Sequence, residues 1–432
     1  MTKLQSSGSI QGVLRWGVHR VSGFYRLAPA SVLLGMLLAG WGYGEDWPRW
    51  RGPLVNGISS ETGWVTTWPE SGPPRIWQAK VGMGYSTVSI SQGRLYTMGN
   101  TDDQDSVYCL DAKTGKEIWK HIYPCKQKDP NGYHGTRGTP TVDGQRVYTV
   151  SREGHLFCLN TEDGKVIWSK NYVTDFKSPI PRWGFATSPL VEGERLIVEP
   201  GAPGASVVAF NKADGKAVWQ SGDDAASYSS PVAYTLDGVR CVAVVNAKFI
   251  VGRRMQDGKE LWRYPWETSY DINAATPVIE GNKVFVSSGY NHGAILLQIG
   301  NDGAPKKLWE NSNMRNHVDT CVLWQGCLLG FDDNSKELRC LDFQTGDIKW
   351  AQKGYGKGSL MMAGGKAILY SDRGLVAVAE VSPAGFKELA RYQALEAKAP
   401  QGRDTWASPV LSNGRLYCRS LEDLVCLDLG GK

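Results

Sequence analysis

One short pattern recurs along this chain and always ends in Trp. Its clearest copy, Leu110–Trp119, reads LDAKTGKEIW. Further copies end at the tryptophans Trp168, Trp219, Trp262, Trp309 and Trp350. In the clear copies, Asp or Asn after an apolar run can bond its own backbone two residues on, and the following Gly accepts a positive φ. Each copy therefore predicts a strand, a tight turn and a second strand that ends at Trp.

The spacing of the repeat indicates the architecture. With Trp77 included, successive tryptophans lie 41 to 51 residues apart. A period of this length, filled with strands and lacking a helical pattern, is typical of a β-propeller blade. Residues 138–168 show four strands separated by turns. The innermost strand of such a unit recurs eight times along the chain, near Ser86, Gly138, Ala186, Ser229, Ala275, Thr320, Ser359 and Ala407.

The two ends of the repeat array complement each other. The eighth unit stops at residues 428–432 and has no fourth strand, whereas Arg75–Gln78 reads as a spare strand ahead of the first unit. An open ring would expose two long sheet edges, which natural proteins avoid. The sequence therefore predicts an all-β fold: an eight-bladed β-propeller of four-stranded antiparallel blades, closed by the N-terminal strand.

These features resemble the quinoprotein, or pyrroloquinoline-quinone-like, β-propeller family. The resemblance covers roughly residues 46–432 and rests on the repeat, sharpest at Thr114-Gly115 and Trp119, and on residues 46–57, DWPRWRGPLVNG. It implies eight blades with the repeated Trp wedged between neighbours. The family includes both dehydrogenases and non-catalytic scaffolds, so the resemblance leaves the activity open. Its alcohol dehydrogenases carry a vicinal disulfide, but no two cysteines are adjacent in this chain.

Residues 1–44 differ from the rest of the chain. They contain four basic residues and no acidic one, followed by the short apolar run 27–40 and small residues suited to cleavage. This pattern predicts a secretory signal peptide, then a Trp-, Pro- and Gly-rich arm at 45–72 and the propeller at 73–432. No Cys precedes Cys109, so we expect a periplasmic or secreted protein that is not a lipoprotein.

Charge narrows the range of partners. The chain carries +5, of which residues 1–44 carry +4, leaving about +1 for the mature part. Without a basic stripe, nucleic acid is unsupported as a partner. The mature part also has no apolar run long enough to span a bilayer. We expect a monomer that binds a protein or a small ligand.

The chain has nine cysteines, an odd number, so at least one stays unpaired or pairs between chains. Four occupy one repeat position, for which we expect small buried residues: Cys109, Cys158, Cys340 and Cys426. The pairs Cys418 with Cys426 and Cys321 with Cys327 each flank a hairpin, and either could oxidise outside the cytoplasm.

The candidate site lies in the loops between blades. In a propeller, the loops that join the outermost strand of one blade to the innermost strand of the next open at one mouth of the central channel, where ligands gather. The ligand-binding candidates in these loops are Arg137, Arg182, Trp183, Asn273, His317, Arg403, Asp404 and Trp406. Arg can bind a carboxylate in bidentate fashion, Trp can stack on a planar ligand, and Asp with Asn can supply oxygens to Ca²⁺. Asp271 and Asp319 are the candidate general bases if the protein is an enzyme, and no metal ligands are assigned.

Two functions are compatible with these residues. The preferred one is an exported propeller that acts by binding, either as a protein scaffold or as a small-ligand receptor, through its channel-mouth face. The alternative is a quinoprotein dehydrogenase that oxidises an alcohol or sugar with pyrroloquinoline quinone and Ca²⁺. Motifs of metalloproteases, serine hydrolases and phosphate-binding loops are absent from the sequence.

Overall fold

The computed structural model describes residues 45–127, 132–397 and 405–430. The predicted signal peptide, 1–44, and the candidates Arg403 and Asp404 lie outside these residues. Two strands precede the first blade: β1 (Ile58–Ser59) and β2 (Arg75–Lys80). Each of the eight blades that follow is an antiparallel sheet whose strands we letter A to D from the channel outward.

The first half of the ring contains blades 1 to 4. Blade 1 is β3 (Ser89–Ser91), β4 (Arg94–Thr101), β5 (Gln104–Asp111) and β6 (Glu117–Pro124). Blade 2 is β7 (Thr141–Asp143), β8 (Arg146–Val150), β9 (His155–Asn160) and β10 (Val166–Asn171), followed by the helix α1 (Tyr172–Phe176). Blade 3 is β11 (Leu190–Glu192), β12 (Arg195–Val198), β13 (Val207–Asn211) and β14 (Ala217–Ser221). Blade 4 is β15 (Val232–Leu236), β16 (Val239–Val245), β17 (Phe249–Arg254) and β18 (Glu260–Pro265), followed by the 3₁₀ turn Ser269–Asp271.

The second half contains blades 5 to 8. Blade 5 is β19 (Val278–Glu280), β20 (Lys283–Ser288), β21 (Gly293–Ile299) and β22 (Pro305–Asn311). Blade 6 is β23 (Val322–Trp324), β24 (Cys327–Asp332), β25 (Glu337–Asp342) and β26 (Ile348–Gln352). Blade 7 is β27 (Ser359–Ala363), β28 (Lys366–Tyr370), β29 (Leu375–Ser382) and β30 (Gly385–Gln393). Blade 8 is β31 (Val410–Ser412), β32 (Arg415–Arg419), β33 (Asp423–Asp428) and β2.

The predicted ring closure is confirmed. β2 pairs antiparallel with β33, with Trp77 opposite Cys426 and Lys80 opposite Asp423. The first strand of the propeller is thus the outermost strand of the last blade. No helix in the described part of the chain is long and apolar enough to cross a membrane.

The repeated Trp joins each blade to the next. The indole Nε1 of Trp168 donates to Lys212 O (3.1 Å) in the C–D turn of blade 3. Its ring packs on Gly215 of that turn, where a Cβ would lie 2.7 Å from the indole and where φ is +69°. Trp77, Trp119, Trp219, Trp309 and Trp350 donate in the same way. Trp262 differs, because it donates to Tyr234 Oη (2.7 Å) of its own blade.

The hydrophobic core is distributed around the ring. Each apolar cluster combines residues of neighbouring blades, as Tyr148 of blade 2 packs with Phe210 of blade 3. All nine cysteines are buried and unpaired, and neither candidate pair forms a disulfide. Burial raises the pKa of the Cys109 thiol to about 11, so this group stays a neutral apolar filler.

A repeated hydroxyl connects the innermost strands. Near the start of four of the inner strands, the chain places a Ser or Thr whose oxygen accepts a backbone N–H from the preceding blade. Thr139 N donates to Ser188 Oγ (2.9 Å), Ser188 N donates to Ser230 Oγ (2.9 Å), and Thr276 N donates to Thr320 Oγ1 (2.8 Å). These bonds fix the inner strands at one spacing, so residues beside them converge on the channel axis.

The arm lies across one end of the channel, where strands A turn into strands B. Asp46 accepts from Gln92 N (2.9 Å) in the A–B turn of blade 1, and Trp47 N donates to Ile90 O (2.9 Å). Farther along, Arg51 donates to Thr320 O (3.0 Å) and to Cys321 O (2.8 Å) of blade 6. β1 then pairs in parallel with β27 of blade 7. The arm therefore crosses the ring and blocks this end of the channel.

Candidate ligand-binding cavity

A cavity of about 170 Å³ opens at the opposite end of the channel. One repeat position supplies seven of its lining residues: the residue two places before the inner Ser or Thr hydroxyl. These residues are Tyr85, Arg137, Ala186, Tyr228, Ala274, Val318 and Trp406. Side chains of an extended segment alternate between two faces, so this position and the hydroxyl itself face the channel while the residue between them faces away. The fold therefore presents one side chain from each of seven blades to one space.

Aromatic side chains dominate this space. Seven line it: Trp50, Tyr85, Tyr133, Trp183, Tyr228, Tyr290 and Trp406. Trp406 stacks near Tyr85 (5.7 Å between centroids, 29° between planes) and near Tyr133 (5.8 Å, 26°). On another side, Trp183 meets Tyr228 edge-on at 6.0 Å. Offset and edge-on rings attract through their quadrupoles, so the wall is apolar yet its rings hold defined orientations.

The wall also carries polar groups: hydroxyls of the inner strands, which can donate or accept, and two nitrogen donors. Arg137 donates through Nη1 to Gly135 O (2.9 Å) and through Nη2 to Tyr133 O (2.6 Å), which fixes its guanidinium at the wall. The Nε1 of Trp406 is buried and has no hydrogen-bond partner among the described residues. Both groups are donors, so a ligand that carries a hydrogen-bond acceptor is better matched to this wall than one that carries only donors.

His317 brings an ionic cluster to the same wall. Its ring meets Tyr290 edge-on at 4.8 Å, and its Nδ1 lies 3.6 Å from Asp333 Oδ1. Lys357 also contacts Asp333. Burial tends to raise the pKa of Asp333, but the neighbouring His317 and Lys357 outweigh burial and lower that pKa below its ordinary value. The ionised Asp333 therefore lies behind the imidazole as an ionic neighbour.

The arm supplies the floor. Trp50 lines the cavity, and its Nε1 donates to Thr276 Oγ1 (2.9 Å), a hydroxyl of the inner-strand set. Because the arm also blocks the other end of the channel, the cavity ends at Trp50 and is entered from the D–A loops. Such a blind, aromatic-walled pocket can hold a small flat molecule.

The cavity assembles only part of the predicted site. Arg137, Trp183, His317 and Trp406 line it. Arg182 lies beside it, with its guanidinium carbon 4.9 Å from the centroid of the Trp183 ring. Asn273 is buried away from the wall and bonds Asn246 O (2.9 Å) and Ser288 Oγ (2.8 Å). Asp271 lies in the 3₁₀ turn after blade 4 and is exposed to solvent.

Asp319 occupies the alternate face of its strand. Val318 lines the cavity, so the next side chain points away from it and into the protein. There Asp319 accepts from Leu360 N (3.0 Å) and from Ser408 Oγ (3.2 Å), which joins blade 6 to blades 7 and 8. Burial raises the pKa of Asp319 to about 6, although Arg51 and these hydrogen bonds act to lower it. In this position Asp319 holds blades together and does not face the cavity.

Asp319 should make stability pH-dependent. Its folded-state pKa of about 6 exceeds the ordinary value of 3.8, so the folded chain binds the proton more tightly than the unfolded chain. The resulting stabilisation is complete below about pH 4 and is lost as the pH rises through 6, by roughly 3 kcal/mol. In urea unfolding, the free energy of unfolding of Asp319→Asn relative to the wild type should rise by about this amount between pH 4 and 7.5. Asp271→Asn is the exposed control, and an equal pH profile for both variants would contradict this role.

Several wall residues were not among the predicted site residues. Tyr85 lies between β2 and blade 1, a connection that becomes a D–A loop only when β2 closes the ring. Tyr290 comes from the B–C loop of blade 5, and Trp50 comes from the arm. A signal for part of the wall was present, because Tyr85, Tyr228 and Trp406 all stand two residues before the inner hydroxyl. Aligning the units on that hydroxyl would have added Tyr85 and Tyr228 to the predicted Trp406.

The described residues do not fit pyrroloquinoline quinone with Ca²⁺. That cofactor is a flat polycarboxylate, and the aromatic wall suits its ring system. However, the described wall offers one guanidinium, Arg137, and no carboxylate to hold the cation. No group of three or more His, Cys, Asp or Glu residues in the described ranges is arranged for a metal ion. The described part of the wall therefore supplies a stacking surface for this cofactor but not the groups that would hold its carboxylates and its cation.

Comparisons with known proteins agree with the architecture. The family model for outer membrane protein assembly factor BamB matches residues 61–128 and 104–352. The crystal structure of BamB from Moraxella catarrhalis is 14% identical, with a TM-score of 0.56, covering 84% of this chain and 99% of that one. A quinohemoprotein alcohol dehydrogenase from Pseudomonas putida HK5 is 13% identical, with a TM-score of 0.55, covering 90% of this chain and 80% of that one. No curated protein matches the chain. At these identities the structural likeness concerns the fold alone.

Proposed function

This chain belongs to the family of pyrroloquinoline-quinone-like β-propellers described as outer membrane protein assembly factor BamB, and on that premise we propose that it is an exported propeller that acts by binding a small flat ligand in the channel-mouth cavity. The observation that carries the proposal is the convergence of seven aromatic side chains on one space closed below by Trp50. Structural packing alone does not require an aromatic wall around a space of this size.

The size of the cavity indicates the size of the ligand. An engineered apolar cavity of about 150 Å³ holds one benzene molecule, and this cavity has a volume of about 170 Å³ and an open side. A ligand of one or two fused rings therefore suits it. Each ring-to-ring contact contributes about 0.5–1.5 kcal/mol beyond simple burial, so a flat ligand that meets three or four wall rings would bind specifically.

Quinoline is a suitable probe, because it is flat and carries one hydrogen-bond acceptor. Calorimetric titration should give saturable binding to the wild type and at least tenfold weaker binding to Trp183→Ala, which removes a wall ring. Trp68→Ala is the matched control, because Trp68 lies in the arm and bonds Arg391 O (3.0 Å) away from the cavity. Equal affinity in all three proteins would contradict binding in the cavity.

A protein partner on the same face is the second candidate. The family model concerns an assembly factor, and apolar side chains are exposed near the channel mouth, with Ile180 46% exposed and Tyr270 61% exposed. Such residues can anchor a protein interface. Ile180→Asp should then prevent co-purification of an envelope protein while leaving quinoline affinity unchanged, and retained co-purification would remove this candidate.

The dehydrogenase alternative predicts measurable turnover. Given the described wall, we expect purified protein mixed with pyrroloquinoline quinone and Ca²⁺ to show no quinone-dependent reduction of an artificial electron acceptor by alcohols or sugars. The assay must use the chain with Asp404 present, because that carboxylate lies outside the described residues. Robust turnover that Asp404→Asn or Asp271→Asn abolishes would make the enzyme the first candidate.

Export is the remaining part of the proposal. The basic, acid-free segment 1–26 and the apolar run that follows support cleavage by a signal peptidase. Intact mass spectrometry of the protein from an envelope fraction should place the mature N-terminus between Gly40 and Asp46. A soluble cytoplasmic protein that retains Met1 would contradict export.

A further inference from the structure

Tyr270 lies at the outer edge of the cavity without lining it. Its ring meets Trp183 edge-on at 6.3 Å and Tyr290 edge-on at 6.1 Å, and both of these residues belong to the wall. Tyr270 is nevertheless 61% exposed. It therefore connects two parts of the wall from the solvent side, at the end from which a ligand enters.

Arg182 holds this ring in place. Its guanidinium carbon lies 4.9 Å from the centroid of the Trp183 ring and 5.2 Å from that of Tyr270. A cation over two aromatic faces is attracted to both, yet the attraction is weak at an exposed site. The contact can therefore position Tyr270 and still open without disturbing the blades.

The backbone at this edge is strained. Tyr270 has a φ of +63° and Asp271 a φ of +56°. In the facing B–C loop, Tyr290 has a φ of +53° and Asn291 a φ of +64°. Left-handed backbone is costly for residues with a Cβ, above all for aromatic ones, and such strain concentrates at functional sites. Glycine would relieve it, but glycine has no ring to place at the mouth.

The strained turn is fixed at its base. Ser227 Oγ donates to Asp271 O (2.7 Å), and Asp271 N donates to Thr268 O (3.2 Å). These bonds anchor the backbone of the turn on either side of Tyr270, while its partly exposed ring is held by the contacts with Trp183, Tyr290 and Arg182. The turn is thus a fixed base for one aromatic side chain at the mouth.

We propose that Tyr270, latched by Arg182, is a specificity-determining residue that sets the largest ligand admitted to the cavity. The inference rests on the proposed ligand-binding function. A ligand of one or two rings passes beneath the Tyr270 side chain, whereas a bulkier molecule requires the Arg182 contact to open first. Removing either side chain widens the mouth without altering the wall.

Thiol labelling tests this without any ligand. Ala274 lines the cavity, and all nine native cysteines are buried, so the thiol introduced by Ala274→Cys should react far faster than the others. Two reagents are compared: methyl methanethiosulfonate, which is small, and fluorescein-5-maleimide, which is bulky. Tyr270→Ala or Arg182→Gln in this background should raise the rate with the bulky reagent at least tenfold and the rate with the small reagent less than threefold.

Arg254→Gln is the matched control, because Arg254 pairs with Asp257 in a C–D turn at the other end of blade 4. Unchanged slow labelling of the native cysteines reports that each variant remains folded. A bulky-reagent rate that is the same in all four proteins, or that rises equally in Arg254→Gln, would overturn the inference. If quinoline fails to bind but the labelling rates change as expected, the proposed function fails and the role of Tyr270 at the mouth stands.

Discussion

Trp77→Ala should destabilise the protein by roughly 3–5 kcal/mol, as for other buried aromatic residues. Trp77 is only 9% exposed, its Nε1 donates to Ala112 O (3.1 Å), and its ring covers Gly115 of blade 1. Because β2 is the outermost strand of blade 8 and its Trp77 packs on blade 1, this side chain holds blades 8 and 1 together. Chemical unfolding monitored by circular dichroism measures the loss directly.

Two variants control this prediction. Trp168→Ala removes the equivalent Trp from a junction within the ring, where Nε1 donates to Lys212 O (3.1 Å), so its cost should be similar. Ile76→Ala removes a neighbour that is 39% exposed and should cost less than about 1 kcal/mol. Deleting residues 45–80 should abolish cooperative unfolding, because it opens the ring and removes the arm. A cost for Trp77→Ala no greater than that for Ile76→Ala would contradict closure by β2.

Arg419→Met should be nearly as damaging, at about 3 kcal/mol. Arg419 is 1% exposed at the end of β32 and pairs with no described carboxylate. Its guanidinium crosses to blade 1, where Nη1 donates to Ser86 O (2.7 Å), Thr97 Oγ1 (2.8 Å) and Met98 O (2.6 Å). Nη2 also reaches Gly82 O (3.1 Å) in the connection between β2 and blade 1. Arg419 is therefore a second connection across the same junction.

The sign of this effect depends on two opposing terms. Burial lowers the pKa of Arg419 to about 9, so removing the charge relieves a desolvation cost of roughly 5 kcal/mol. Methionine removes the charged donor from four acceptors, although Ser86 O and Met98 O keep hydroxyl donors from Thr97 and Thr136. Losing four charge-assisted hydrogen bonds at roughly 1.5–3 kcal/mol each outweighs that relief. The net loss is near 3 kcal/mol, and Arg419→Lys should fall between the wild type and Met because an ammonium keeps some of the donors. A Met variant at least as stable as the wild type would show that the acceptors find water instead.

The sequence was sufficient for the fold because one local rule is repeated. The Gly of each clear C–D turn is required by a positive φ and by the indole that covers it, as at Gly215 and Trp168. The repeated Gly and Trp therefore predict a contact between neighbouring blades as well as the turn within one blade. The last unit lacks a fourth strand, and a spare strand lies at Trp77. The simplest prediction was that this strand completes the last blade and closes the ring, and β2 does pair with β33.

The site was only partly predictable, because side chains alternate between two faces of a strand and because some wall residues are far apart in the sequence. Arg137 and Trp406 occupy the channel-facing repeat position, whereas Asp319, at the next position in its own blade, turns into the protein. A loop with several polar residues gives no sign of which one faces the axis until the inner hydroxyl defines the register. Trp50 reaches the floor of the cavity because the arm crosses the whole ring. Its partner Thr276 lies more than 200 residues later in the sequence, so no local pattern predicts this contact.

The most direct test of the central claim is an experimental structure of the mature protein soaked with quinoline. The proposed function predicts one quinoline in the cavity above Trp50, stacked between wall rings such as Trp183 and Trp406, with its nitrogen near the donors Trp406 Nε1 or Arg137. At a concentration that just saturates the wild type, the bound molecule should have clearly lower occupancy in the Trp183→Ala protein. Quinoline found only outside the channel mouth, or an empty cavity in the wild type at a saturating concentration, would contradict the claim.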